Sequence, residues 1–568
     1  MTINQWHTDQ ISRRIMSALF VIAILAGIIG RVVIVDRQQI INHDEGMSFM
    51  EATGHLEAWT YNAVHEEYPL YAWVKVGDLR PYMQIEDKFV FDQIRHDLAE
   101  TEVAPPFYFW VAHVWFIVFG ANLQAILTLN TLFSIATLIV IFALARAIFR
   151  DRWLAMAVAA AWFINPTATY TSFYFRHYQL FTLLAVLFAY LVYRYFYAPE
   201  NLIHRRDTEN TEKIKVKARE GQNLSLSPYQ GLAIVLVAAM GVLTHYMFFW
   251  VIVSALAALA LRFGWWQPRR IITLVAWLAV AAVIVIALHP QLFESLDRQG
   301  GRVEPDFSWD EVSVRGEAVI DQTIQFVLDR NSFTDARRFI VAAGMIVLPV
   351  GLLALAIWQT RRSASRPDTG WRAWLQERDR AIFLIMFVLF NYGTTVAQYT
   401  FSFSPFHAMI NPWYLSVPWA FCVLIPVWLI DLPGLQSFKK WLLPAFMLVM
   451  LVAGLLTLYK QYDERVRLAG PALYPASSEQ VLIGSVARGV VSPVLINLDD
   501  DTDVFLASPE YLLAHPDEWL PQVAARPTVY FVPTRDVFEF LIAEGFTVQG
   551  RKTFWPFQAY DVRAPGIE

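Results

Sequence analysis

Residues 231–261 read GLAIVLVAAMGVLTHYMFFWVIVSALAALAL. The stretch holds no Asp, Glu, Lys or Arg, and its one polar break is Thr244-His245-Tyr246. A helix crosses the hydrocarbon core with about 20 apolar residues, so this run is too long for one crossing and must fold back on itself. A charge-free helical hairpin of this length belongs to a protein whose solvent is the bilayer.

Outward from the hairpin, further apolar runs place spans at roughly 15–35, 122–148, 153–165, 177–198, 229–246, 247–263, 270–289, 337–359, 380–399, 411–431 and 441–459. The expected fold is an α-helical polytopic membrane protein of about 11 transmembrane helices, followed by a small C-terminal α/β soluble domain. Composition agrees: the chain is 56% hydrophobic and only 17% charged, too apolar for an ordinary soluble protein. Its 21 Trp suit two interfacial belts. A net charge of −5 gives no basic surface for nucleic acid, and the single Cys422 excludes an intramolecular disulfide or a cysteine-built metal site. The run from Ile15 follows Arg13-Arg14 without a small-residue cleavage site, so it is read as a retained first span.

Orientation follows the gathering of Lys and Arg on the cytoplasmic side. With the N-terminus inside, each inner loop is basic: Arg13-Arg14; Arg146, Arg150 and Arg152; His204 to Arg219; Arg262, Arg269 and Arg270; Arg361 to Arg380; Lys439-Lys440. This requires the apolar piece 105–120 to lie in the outer interface rather than cross. The expected layout is a transmembrane domain over 1–461, with an outer loop at 36–121, and an outer domain over 462–568. In that domain Pro493 to Leu498 and Thr528 to Val532 read as strands and Arg535 to Glu544 as a helix. The acidic run Asp499-Asp500-Asp501-Thr502-Asp503 lacks the glycine and closing glutamate of a calcium loop and reads as a solvated turn.

Chemistry gathers on the outer side. Asp44-Glu45 stands just past the first span, in Asn42-His43-Asp44-Glu45-Gly46. Further on come Pro105-Pro106-Phe107-Tyr108, Phe119-Gly120 before a long span, Asn165-Pro166 at a span end, Arg176-His177-Tyr178 opening the next span, and Thr244-His245-Tyr246. In order and spacing these resemble the glycosyltransferase-C superfamily, on its bacterial branch related to protein O-mannosyltransferases and aminoarabinose transferases. The resemblance covers residues 10–260 well and the later spans loosely.

The resemblance implies an enzyme of the cell (inner) membrane, with a cytoplasmic N-terminus and its site on the outer face. It would move a monosaccharide, with inversion, from a polyprenyl-phosphate-linked donor to a cell-envelope acceptor. Asp44 is then the candidate general base, since the acceptor hydroxyl must lose a proton as it attacks the anomeric carbon. Glu45, Arg176 and His245 are candidates for donor phosphate or metal, a guanidinium being suited to phosphate. Glu102, His177, Tyr178 and Tyr246 are candidate substrate contacts. A divalent cation is the one cofactor envisaged, although no spacing in the His- and carboxylate-rich loop (His43, His55, His65, Glu66, Glu67) is diagnostic. The chain departs from the family where Ala104 precedes Pro105-Pro106 and where Trp413 precedes Tyr414-Leu415; His407 or Arg302 is a candidate substitute for the basic group missing before Tyr414-Leu415. Competing readings are a transporter or flippase for a lipid-linked substrate, and a membrane module without activity.

Overall fold

The computed structural model describes residues 3–38, 41–59, 71–102, 104–197, 228–264, 267–301, 314–315, 370–396, 412–467, 479–485, 494–496, 498–531, 534–550 and 559–565. The chain forms two compact units: one from Met1–Gly30, Thr131–Ser172 and His177–Leu458, the other from Arg31–Asn130, Phe173–Arg176 and Tyr459–Glu568.

The first unit is helical. The 231–261 stretch forms two helices, Pro228–Thr244 and Phe248–Phe263, reversing at His245. Gly241 permits the close return. A Cβ there would stand 2.3 Å from the ring of Phe248, which lies against that bare backbone. Helices also cover the other expected spans: Ile3–Arg37, Leu123–Phe149, Arg152–Phe163, Tyr178–Val192, Pro268–Leu288, Gly370–Val388, the pair Ser416–Cys422 and Leu424–Asp431, and Lys439–Tyr462. The span expected at 337–359 lies outside the described residues. Six of the described helices are long and apolar enough to cross a membrane. The helix Phe107–Phe119 is not among them. Its 13 residues reach about 20 Å at 1.5 Å per residue, short of a ~30 Å hydrocarbon core.

Ion pairs order the helix ends. Lys439 Nζ lies 2.9 Å from Asp151 and 2.8 Å from Asp431, Arg380 is 3.5 Å from Asp431, and Arg262 is 2.8 Å from Asp379. All of these belong to segments that the charge pattern assigns to one side. At the opposite ends Tyr178 packs on Tyr414 and on His245, and the Tyr246 hydroxyl is 3.0 Å from His289 Nε2.

The second unit is built on a six-stranded sheet in the order β1-β3-β2-β4-β6-β5. The strands are β1 Trp73–Lys75, β2 Gln480–Ile483, β3 Asp503–Leu506, β4 Thr528–Phe531, β5 Thr547–Gly550 and β6 Ala559–Arg563. β2 pairs in parallel with β3 and β4, and the remaining pairs are antiparallel. Side chains alternate between faces along a strand. Leu482, Phe505 and Tyr530 therefore meet Trp519, Val523 and Leu541, while Val481, Ile483, Val504, Leu506 and Phe531 meet Met50, Leu56 and Trp59. The segment after the first span thus shares a core with the C-terminal sheet. It also lends the sheet an edge strand: Lys75 pairs with Asp503 at 2.7 Å and Arg80 with Asp500 at 2.8 Å. The acidic run is therefore an ion-paired seam as well as a turn.

One expected strand is not one. Residues 494 and 495 are helical. Val494, Leu495 and Leu498 point into the same core, a helical spacing that a short apolar run does not distinguish from a strand. Thr528–Phe531 and Arg535–Ala543 form the strand and helix expected there.

Candidate active site

The helix His43–Thr53 carries the acidic pair, and its start is fixed by its own sequence. Asn42 is extended (φ −91°, ψ 179°) and its side-chain oxygen accepts from the Glu45 amide at 2.9 Å. The Glu45 carboxylate accepts from the Asn42 amide at 2.9 Å in return. This reciprocal capping box satisfies two otherwise orphaned donors, and carboxylates in a first turn suit the helix dipole. Gly54 ends the helix in the left-handed conformation (φ +81°).

The two acids do different work. Glu45 is 1% exposed. Beyond its cap it accepts from the Phe175 amide at 3.0 Å and lies 3.8 Å from Arg465 Nη1. Burial pushes its carboxyl above the ordinary carboxylate range, against the opposing pull of Arg465 and the Asn42 and Phe175 amides. Asp44 stays open, its side chain 39% exposed. One oxygen, Oδ2, accepts from the Tyr174 hydroxyl; the other, Oδ1, faces Arg176 Nη2 at 3.7 Å, beyond hydrogen-bond reach.

Arg176 is held from behind. Its side chain is 10% exposed, and Nη1 lies 3.2 Å from both carboxylate oxygens of Glu51, which is fully buried. Glu51 stands seven residues after Asp44, two helical turns on, and so shares its face. The segment bearing Tyr174 and Arg176 is anchored in turn. Asn130 Nδ2 donates to the Tyr174 carbonyl at 2.7 Å, Arg465 Nη1 donates to the Phe173 carbonyl at 2.7 Å, and the Phe175 ring packs against Phe49 and Phe116. Tyr108 reaches Asn130 Oδ1 at 3.1 Å. Beneath the helix, His113 bridges the Ala52 carbonyl (2.8 Å from Nδ1) and the Phe89 amide (3.1 Å from Nε2), which places its proton on Nδ1.

Of the sequence-derived candidates, Asp44, Glu45 and Arg176 thus come together in the second unit. His177, Tyr178 and His245 come together in the first: the imidazoles of His177 and His245 stack edge to face at 4.7 Å, and Phe181 stacks on His245 at 4.7 Å. Met247 donates its amide to His245 Nδ1 at 3.1 Å. Tyr246 turns to His289 instead. Glu102 ends the π-helical turn Leu98–Glu102. Arg302 and His407 lie outside the described residues. Sequence reasoning missed Glu51, Tyr174 and Arg465. Glu51 had a signal: it is the one acid in the apolar run Met47–Ala52, at helical spacing from Asp44.

Among the described residues no group of three or more His, Cys, Asp or Glu side chains is placed to hold a metal ion. The donor chemistry agrees, because Glu51 and Glu45 already face guanidinium groups. Of the three acids in this array Asp44 alone keeps a carboxylate oxygen open, one ligand where a protein-held divalent cation takes several.

The chain is an α-helical polytopic membrane protein with a mixed α/β unit, whose acidic pair lies in a carboxylate–arginine–tyrosine array. It is similar to the crystal structure of ArnT from Cupriavidus metallidurans bound to undecaprenyl phosphate, at 12% identity over 95% of this chain and 97% of that one, with a TM-score of 0.48. It is also similar to the Archaeoglobus fulgidus oligosaccharyltransferase in complex with Zn and sulfate, at 11% identity over 96% and 73% of the two chains (TM-score 0.43). A third similar structure is the archaeal oligosaccharyltransferase AglB from the same organism with an inhibitory peptide and a dolichol-phosphate, at 12% identity over 91% and 69% (TM-score 0.41). No family model and no curated protein sequence matches the chain.

Proposed function

We propose that the protein is a membrane glycosyltransferase that moves a monosaccharide from a polyprenyl-phosphate donor to a cell-envelope acceptor, with Asp44 as general base. The observation that carries this reading is the contrast within the acidic pair. Glu45 is buried and spent on structure, whereas Asp44 presents an open oxygen on a side chain held by Tyr174 and faced by Arg176. In the step this supports, Asp44 Oδ1 takes the proton of the acceptor hydroxyl as the hydroxyl's own oxygen bonds to the anomeric carbon. The bond from that carbon to the phosphate oxygen breaks, and the lipid phosphate leaves with the electron pair. A single displacement of this kind inverts the anomeric centre. The basic loops support an orientation with the N-terminus in the cytoplasm and the 36–121 loop and residues 462–568 on the outer side.

The test is transfer of radiolabelled sugar from polyprenyl-phosphate donors in proteoliposomes, wild type against Asp44→Asn. Transfer by the wild type and its loss in the variant, with expression and melting temperature unchanged, is the expected result. Equal transfer by both removes Asp44 from the mechanism. Uptake of the lipid-linked sugar without any covalent product makes the protein a transporter.

A further inference from the structure

Resting on that reading, we infer that Glu51 is a positioning residue for the transfer step, and that the Arg176 it holds orients Asp44 rather than gripping the donor's phosphate. Arg176 is nearly enclosed, and Nη1 is committed to Glu51, at 3.2 Å from each carboxylate oxygen. Its other terminal nitrogen, Nη2, faces Asp44 Oδ1 at 3.7 Å. The guanidinium thus stands between two carboxylates on one helix face. A phosphate approaching it would meet both of those negative charges, and the fully buried Glu51 cannot turn out into water without leaving its partner.

The same geometry serves orientation well. A guanidinium is planar, so fixing Nη1 on Glu51 also fixes the direction of Nη2. Tyr174 holds Asp44 Oδ2 and Arg176 stands off Oδ1, so the carboxylate plane is set and Oδ1 keeps room for an acceptor hydroxyl. Glu51 acts through Arg176 and touches no substrate.

The experiment compares wild type with Glu51→Gln, Arg176→Lys and the double variant Glu51→Gln/Arg176→Gln. Each is assayed for kcat, for donor KM, and for binding of undecaprenyl phosphate to the protein in nanodiscs. The double variant guards against misfolding, since removing both charges avoids stranding one of them in the interior. All three are expected to lose kcat, Glu51→Gln by about tenfold or more, equivalent to about 1.4 kcal/mol. Donor KM and undecaprenyl phosphate binding are expected to stay within about threefold of wild type, and Arg176→Lys, which keeps the charge without the planar fork, is expected not to restore kcat. A tenfold rise in donor KM with matching loss of lipid-phosphate binding overturns the inference and makes Arg176 a phosphate ligand. Full kcat in the folded double variant overturns it as well. If the wild type neither transfers sugar nor binds undecaprenyl phosphate, the glycosyltransferase reading itself fails, an outcome distinct from either.

Discussion

Tyr174 and Asp44, 130 positions apart in the chain, are joined by a hydrogen bond from the phenol to the carboxylate Oδ2. The bond occupies one carboxylate oxygen and leaves Oδ1 for the proposed proton transfer. A hydrogen bond to a charged group contributes about 1.5–3 kcal/mol. Tyr174→Phe is therefore expected to slow transfer by roughly ten- to a hundredfold. The fold should survive, because the Asn130 side chain holds the Tyr174 backbone carbonyl rather than its phenol. Steady-state kinetics with a melting curve checks both; an unchanged kcat in the folded variant would mean that Asp44 needs no such partner.

Glu45 predicts the opposite pattern, a loss of stability with the proposed base intact. Its carboxylate caps Asn42, accepts from Phe175 and faces Arg465. Glu45→Ala strands these buried donors at about 1–3 kcal/mol each where no water replaces the acid. The variant is expected to melt several degrees lower in detergent and to lose activity as the Phe173–Arg176 segment loosens. A melting temperature equal to wild type would show that the buried acid holds nothing in place.

How far the sequence disclosed this arrangement differs between fold and site. Helices were legible because apolar length is a one-dimensional property: the 231–261 run announced its own reversal, and ten expected spans coincide with described helices. The α/β character of the C-terminal region was legible from Thr528–Phe531 and Arg535–Ala543. The recruitment of Trp73–Lys75 as an edge strand was not, because three residues carry no period and their partners lie more than 400 positions away. At the site, Asp44, Glu45 and Arg176 stood out as charges at span ends. Tyr174 and Arg465 did not, since one is an aromatic among many aromatics and the other a basic residue just after a span, where a guanidinium needs no explanation. Their roles come from tertiary contacts that no local pattern encodes.

Asp97 predicts a pH dependence of stability. It is buried beside the Glu57 amide, and Gln93 bonds it at 2.5 Å. Burial, outweighing those hydrogen bonds, raises its carboxyl from 3.8 to about 6. The folded protein therefore binds this proton more tightly than the unfolded chain. The contribution is least unfavourable below the unfolded value and becomes steadily worse as pH rises through about 6, where the full cost is reached. A shift of about two units corresponds to roughly 3 kcal/mol. Asp97→Asn cannot ionise, so wild type is expected to lose about that much stability relative to the variant between acid and neutral pH. Chemical denaturation of both proteins across the range measures the difference, and parallel curves would show that Asp97 titrates normally.

Gly454 marks a close approach of two helices within the first unit. It lies in the helix Lys439–Tyr462, and a Cβ built there would fall 2.4 Å from the Ile164 carbonyl oxygen and 2.7 Å from the Ile164 Cβ. Both atoms belong to rigid parts of the chain, and Ile164 closes the helix Arg152–Phe163 just before Asn165 caps the next one by accepting from the Thr167 amide at 2.8 Å. With no hydrophobic force between helices in lipid, association rests on such close backbone approach. Gly454→Ala must push the two helices apart, at a cost of about 1–3 kcal/mol for overpacking, and Gly454→Leu more. The expected readout is a graded fall in melting temperature, Ala before Leu, with the Tyr174–Asp44 pairing untouched, so that transfer at low temperature falls less than stability does. A Gly454→Leu variant that melts with wild type would mean that this helix does not pack on the Ile164 turn.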